Sequence, residues 1–463
     1  MVAAPARAAA SDPVARRLAA YCEARAREGE LSGAVLLAKD GAVLYRAAFG
    51  RRNRAEALPN RPDTRFNYAS IGKLFTALAI LRFAEQGRLG LDDRLAAHWP
   101  DYPNRAVAEA VTIRQLLAHT AGMGNSWATL ATRPPQSVVT VADMLALFVD
   151  KPLSQPPGQG FVYSNDGYVI LGGLIERLAG EPCDAHLRRT IWRPLGMAAT
   201  AWVRQDEPPA NFALGYARDL ERPGVWKTNV FDNPFRGGPA GGGYSTVDDL
   251  FAFGEAMRRR TLLGPAMTEA WTRGVSDYAR GRYGLGVSEA TINGHRVIGH
   301  SGGHIGIAGE LMVFEDLGYV AVVLTNGEVE AFWDLDVWIK RELCGEDAAA
   351  RNHAFTRRLI DALAADAAAG QALYAARPEG VRARASVIDV YGFRLLHAGR
   401  AEAGLNLLRF NVEVAGDSSA LWSWAEGLRL AGRREAARDA YRAYLGREPG
   451  DADAEARLKT LGG

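Results

Sequence analysis

The chain has 463 residues, 48% hydrophobic and 23% charged, so it folds rather than staying disordered, and it is too long for one ordinary core. Lys and Arg number 55 against 53 Asp and Glu, a balance that offers no footprint to nucleic acid or an anionic membrane. Cys22, Cys183 and Cys344 are its three cysteines, far apart and without a C-x-x-C pair, which excludes a disulfide scaffold and cysteine-built zinc.

Residues 1–11 end in small residues without the apolar stretch of a signal peptide, and read as a disordered tail. The compartment stays open: cytoplasmic as written, periplasmic or exported if an export signal has been trimmed. No apolar run approaches the ~18 residues of a spanning helix. Ala34–Ala38 and Ala42–Tyr45 are predicted strands flanking Lys39-Asp40-Gly41, and Asp-Gly between apolar runs marks a hairpin. Tyr68-Ala69-Ser70-Ile71-Gly72-Lys73-Leu74 follows. Leu74, Leu78 and Leu81 predict a helix ending near Gly87.

A serine at a helix start and a lysine three residues on share one face. A hydroxyl needs such a base beside it to become a nucleophile, and the helix N-terminus favours a developing oxyanion. The plainer alternative makes Ser70 an N-cap and Lys73 a solvated residue. Further on, Tyr163-Ser164-Asn165 opens another helix (Val169, Leu174, Leu178), putting a phenol and an amide on one side of a turn. The alternative there is a core aromatic followed by a capping asparagine.

Gly237 to Gly243 (GGPAGGG) has no following Lys-Ser or Lys-Thr, so it is a loop near the site rather than a phosphate-binding loop. Arg296–Gly299, Glu310–Phe314 and Tyr319–Thr325 are predicted strands, and Gly299-His300-Ser301-Gly302-Gly303 follows the first. Its glycines let a substrate lie along the strand edge. The economical fold is α+β: one antiparallel sheet built from both ends of residues 12–346, flanked by helices, with a helical subdomain between. Residues 347–463 are a second, all-α domain. There Leu395–Ala403 aligns with Leu428–Ala436 at an offset of 33 residues, resembling tetratricopeptide helix pairs. A degenerate third unit before Ser386 would help bury their faces.

In order and spacing, S-x-x-K, Tyr-x-Asn and the His-Ser-Gly strand resemble the serine β-lactamase and penicillin-binding-protein superfamily. The closest likeness is to class C β-lactamases, β-lactamase-like carboxylesterases and D-aminopeptidases. Leu116–Met123 (LLAHTAGM), Pro194–Met197, Ala240–Thr246 and Tyr283–Gly286 agree with it. The resemblance implies Ser70 as acylated nucleophile, and Lys73 and Tyr163 as the groups that move its proton. It implies Ser70 and Gly303 N–H groups as the oxyanion hole. Asn165, His300, Ser301 and Gly302 become substrate-binding residues, with no metal and no cofactor. His119 tempts as a base, but the resemblance makes its segment mainly structural. Antibiotic-hydrolysing members carry lysine where His300 stands, and a neutral imidazole holds an anion less well. A site without a fixed cation is therefore expected, favouring esters over lactams or peptides with a free carboxylate.

The expected activity is a carboxylesterase-like serine hydrolase acting on an ester or small amide. Its alternatives are a D-amino-acid peptidase or amidase, a weak β-lactamase, or a silent binding protein that uses its helical repeats. Expected partners are a small-molecule or peptide substrate, with a protein partner or self-association through the repeats. Two rivals stand beside this. Gly299–Gly303 also fits the G-x-S-x-G elbow, but that motif needs a helix straight after its serine. His295, His300 and His304 are close in sequence, but they lack a third-ligand pattern and an H-E-x-x-H.

Overall fold

Side chains alternating with a period of two decide this fold. Ala34, Leu36 and Ala38 enter one core while Val35 and Leu37 enter another, so the strand that carries them lies in a sheet buried on both faces. The computed structural model describes residues 12–462 apart from 127, 128, 130–132, 220 and 223. The tail read at residues 1–11 lies outside them.

In chain order the first unit uses α1 (Pro13–Arg27), β1 (Gly33–Lys39), β2 (Ala42–Phe49), α2 (Lys73–Glu85), α3 (Asn165–Ala179) and α4 (Val247–Arg258). Then come β3 (Ser276–Tyr278), β4 (Gly281–Tyr283), β5 (Ser288–Ile292), β6 (His295–His304), β7 (Ile307–Phe314), β8 (Tyr319–Thr325) and α5 (Val329–Cys344). The eight strands form one sheet in the order β2-β1-β8-β7-β6-β5-β4-β3. Gly33 pairs with Thr325, so the sheet is closed from both ends of the unit, as the sequence implied. Asp40 and Gly41 both take positive φ, 50° and 85°, the backbone that a two-residue hairpin needs. Helices α1 and α5 cover one face, through Leu18, Cys22, Phe332 and Ile339. The helical insertion, with α2, α3 and α4, covers the other.

Two expectations need correction. The strand that stopped at Gly299 in the sequence runs on to His304, because glycine-rich residues hydrogen-bond as well as others when a partner strand is fixed. Strands β3 to β5 were missed, since SDY, GRY and SEATI show no apolar alternation and are only partly buried.

One unit takes in Met1–Ala217 and Thr228–Cys344; the other takes in Arg218–Lys227 and Gly345–Gly463. Residues 218–227, assigned to the hydrolase region by sequence, thus group with the helical unit. That unit holds α6 (Ala348–Ala365), α7 (Ala367–Ala375), α8 (Ala385–His397), α9 (Ala401–Val414), α10 (Ser418–Leu430), α11 (Arg434–Leu445) and α12 (Ala452–Thr460). Helices α8 and α10 begin 33 residues apart, as do α9 and α11. Leu408, Leu428 and Tyr441 share one of its cores, and Glu221 binds Arg429 and Arg457. Among the described residues no helix is long and apolar enough to cross a membrane.

Candidate active site

Ser70 sits in a short 3-10 turn, Ala69–Gly72, and the α-helix begins only at Lys73. The sequence had placed Ser70 at the start of the helix proper. Ala69 has φ of 45°, a left-handed conformation that costs an alanine of order 1 kcal/mol and has to be held from outside. The Asn67 carboxamide oxygen accepts from Ala69 N–H at 2.8 Å, and Gly242 N–H donates to Ala69 O at 3.1 Å. A Cβ on Gly241 would lie 2.0 Å from Ala69 O, so only glycine fits there. The glycine-rich run is thus the outer wall of the nucleophile turn.

Lys73 is fully buried. Its Nζ lies 3.1 Å from Ser70 Oγ, 2.7 Å from Asn165 Oδ1 and 2.6 Å from Ala240 O. All three partners are neutral, and burial pushes the ammonium well below its usual value. A neutral amine has two N–H groups and a lone pair. Asn165 and Ala240 offer acceptors for the first two, which leaves the lone pair for the Ser70 proton. Tyr163 places its ring 4.9 Å from Nζ. Desolvation pushes its phenol up, against the pull of a hydrogen bond with Ser70, so the phenol keeps its proton at neutral pH.

Behind Tyr163 lies a cluster of rings. His119 packs, with its ring tilted, 4.3 Å from Tyr163 and 4.9 Å from Tyr283. Its Nδ1 accepts from Ser164 N–H at 3.1 Å, which leaves the proton on Nε2. Burial, with Lys73 and His300 nearby, holds it far below its usual range and neutral. Its bond goes to Ser164 and not to Ser70, so it braces Tyr163 rather than acting as the base.

His300 is held at both ring nitrogens. Its Nδ1–H donates to Ser301 O and its Nε2 accepts from Tyr283 Oη at 2.9 Å. Burial pushes it down to about 3. Both nitrogens are occupied and the ring is neutral, so it cannot hold an anionic substrate group; it braces Tyr283. Ser301 lies on the opposite face of β6, and its Oγ accepts from Arg280 at 2.8 Å. Arg280 also lies over Trp333 and 3.7 Å from Asp336. A guanidinium thus lines the site, carried by the turn between β3 and β4. Only the nearby Tyr283–Gly286 motif hinted at that turn.

Strand β5 pairs with β6 only as far as Gly299, which leaves residues 300–304 with an open edge. A Cβ on Gly302 would lie 2.5 Å from Ser70 N, so this edge runs directly against the nucleophile. Two cavities meet at Ser70, Tyr163 and Gly303. One, of about 290 Å³, has apolar walls of Val138, Met144, Leu147, Phe148 and Val169, with Asn165 at its edge. The other, of about 340 Å³, is walled by Phe161, Tyr278, Tyr283, Arg280 and Trp333. Ser301 is mid-strand, which rules out a nucleophile elbow. His295 and His304 bind Asp316 and Asp232 O, and no group of metal-ligating side chains gathers among the described residues.

The family model for beta-lactamase matches residues 17–343. The chain belongs to the beta-lactamase family. It is 27% identical over 335 residues to a penicillin-binding protein of Bacillus subtilis (strain 168), covering 69% of this chain and 73% of that one. It is 34% identical over 218 residues to Esterase EstB of Burkholderia gladioli, covering 44% of this chain and 55% of the esterase. The crystal structure of a penicillin binding protein from Bacillus halodurans is similar with a TM-score of 0.63 at 30% identity, covering 69% of this chain and 98% of that one. As a member of the beta-lactamase family the protein is a serine hydrolase, and its matched region ends where the helical unit begins.

Proposed function

We propose that the protein hydrolyses an ester or small amide through an acyl-enzyme on Ser70, and that esters are its better substrates. The observation that carries this is the buried Lys73 amine, 3.1 Å from Ser70 Oγ and, among the described residues, with no carboxylate paired to it. Ser70 Oγ attacks the carbonyl carbon and its proton passes to Lys73 Nζ. The N–H groups of Ser70 and Gly303 hold the oxyanion. The bond to the leaving group breaks, the departing atom takes a proton from Tyr163, and Lys73 returns one to the phenol. Water then releases the acyl group. Asn165 orients Lys73 and faces the acyl side, and Gly302 lets the strand edge approach. An ester makes the smaller demand on proton delivery, because an alkoxide leaves more readily than an amide nitrogen. The likeness to Esterase EstB agrees with this order.

A second reading is favoured by Arg280: peptides or amides carrying a carboxylate on the leaving side. A panel of short esters, D-aminoacyl amides and a chromogenic lactam compared by kcat/KM ranks the two. For the helical unit we propose protein binding or self-association, read by light scattering on the full chain. The decisive test of the mechanism is Ser70→Ala, with an aryl butyrate and a fluorophosphonate probe. Turnover should fall by on the order of 10⁴-fold or more and labelling should vanish, with the fold retained by circular dichroism. If Ser301→Ala is the dead variant instead, the mechanism is wrong.

A further inference from the structure

The smaller, apolar cavity holds one group that the mechanism above does not use. Asp166 stands in the first turn of α3, one residue after Asn165. It is 4% exposed and lines the same cavity as Ser70 and Asn165. Its Oδ1 accepts from Ser126 N–H at 3.1 Å and from Ser126 Oγ–H at 2.7 Å. Among the described residues no cation lies within ion-pairing distance of it. Lys151 acts on it only at longer range, with its amine on Thr129 Oγ1. The cavity's other ionised side chain, Arg236, is already neutralised by Asp184 at 2.6 Å. Burial raises the Asp166 carboxyl above its usual range, as expected where a carboxylate lacks a counter-charge.

A buried carboxylate without a cation is costly, and the cost is recovered when a cation arrives. The helix N-terminus helps to keep it anionic meanwhile. We propose that Asp166 makes the acyl cavity a receptor for a positively charged acyl group, so that esters or amides whose acyl part carries an ammonium are the preferred substrates. This rests on the hydrolase reading and sharpens it: Ser70 performs the chemistry and Asp166 selects the acyl group. Apolar walls from Met144, Leu147, Phe148 and Val169 cover the carbon chain between the ammonium and the carbonyl.

Matched esters test it. Benzyl alaninate, as both enantiomers, is set against benzyl propionate, and benzyl 6-aminohexanoate against benzyl hexanoate, so the charge lies near or far from the carbonyl. Release of benzyl alcohol is followed by chromatography. In at least one pair the charged ester should have a kcat/KM tenfold or more above its neutral twin. Asp166→Asn should remove that ratio and leave the neutral ester within about threefold, since an amide still accepts from Ser126. Ser126→Ala loosens the carboxylate's anchor without touching its charge and should keep the ratio. No preference in the wild type overturns the proposal, and so does an equal loss on charged and neutral esters in Asp166→Asn. If no ester is turned over and the fluorophosphonate leaves Ser70 unlabelled, the hydrolase reading falls and this inference with it.

Discussion

Lys73 and Lys340 both carry an amine into the protein, and their surroundings give them opposite states. Lys73 meets only neutral oxygens, and burial pushes its pKa well below the usual lysine value. Lys340, on α5, lies 2.5 Å from Asp336 and 3.2 Å from Glu310. Burial alone would lower it too, but Asp336 and Glu310 outweigh that and raise it. Sheet geometry explains how Glu310 comes to be there. It is the cross-strand neighbour of Ser301, and even-numbered residues of β7 face α5. The lesson is electrostatic: a buried lysine is a base where its acceptors are neutral and a strut where they are carboxylates.

The largest effect should come from making Lys73 a permanent cation. Lys73→Arg places a fixed charge there that cannot take up a proton, and should slow acylation about 10³-fold, within the usual range for losing a general base. The pre-steady-state burst with an aryl butyrate measures it; a burst at wild-type rate would move the base elsewhere. The pH profile carries the same sign. Acylation needs the neutral amine, so the rate rises with pH through the lowered pKa and shows no limb near the ordinary lysine value of about 10.4. Stability follows as well. The unfolded chain binds a proton at Lys73 that the folded one does not, so stability rises with pH up to that ordinary value. Lys73→Met should flatten this slope and raise the neutral-pH melting temperature while abolishing activity.

Lys340→Met is the converse. It leaves Asp336 and Glu310 buried together without their nearer cation, and should cost about 3 kcal/mol in urea unfolding. Glu310 is already pushed up to about 7, by burial and then by Asp336. Its folded pKa exceeds the unfolded one, so its contribution is fully present below about pH 4.3 and is lost as pH climbs to 7. Adding Glu310→Gln to Lys340→Met should recover part of the loss at pH 8, a coupling that a double-mutant cycle resolves. Simple additivity would show that the two residues do not share one network.

Much of the Lys73 side of this contrast was legible in the sequence, and almost none of the Lys340 side was. Ser70, Lys73, Tyr163 and Asn165 are linked by short spacings on helix starts, where three- and four-residue steps fix which side chains meet. Gly302 could be placed because a strand edge this close to a nucleophile leaves no room for a side chain. Arg280, Glu310, Asp336 and Lys340 come from three elements, and only the register of β6 on β7 and the packing of α5 join them. The hydrogen-bond partner of His300 was hidden for the same reason. The role of the ring depends on Tyr283, which a strand without apolar alternation delivers. Asp166 was visible as a residue but not as a cavity wall, since the loop bearing Ser126 has no pattern to read.

The smallest effect belongs to Arg280, which touches both worlds: Ser301 at the site and Asp336 in the cluster. It is about one-third exposed, so solvent screens its charge and it adds little to stability. Its value lies in direction, since the stack on Trp333 aims the guanidinium at the wider cavity. Arg280→Ala should therefore lower kcat/KM about tenfold, or about 1.4 kcal/mol, for an ester with a carboxylate on its leaving group, mostly through KM. A neutral ester should change less than threefold. Arg280→Lys should recover little, because an ammonium cannot both stack on the indole and donate from a fork. If both esters fall equally, Arg280 only braces Ser301, and the cation belongs with the Lys340 cluster rather than with the substrate.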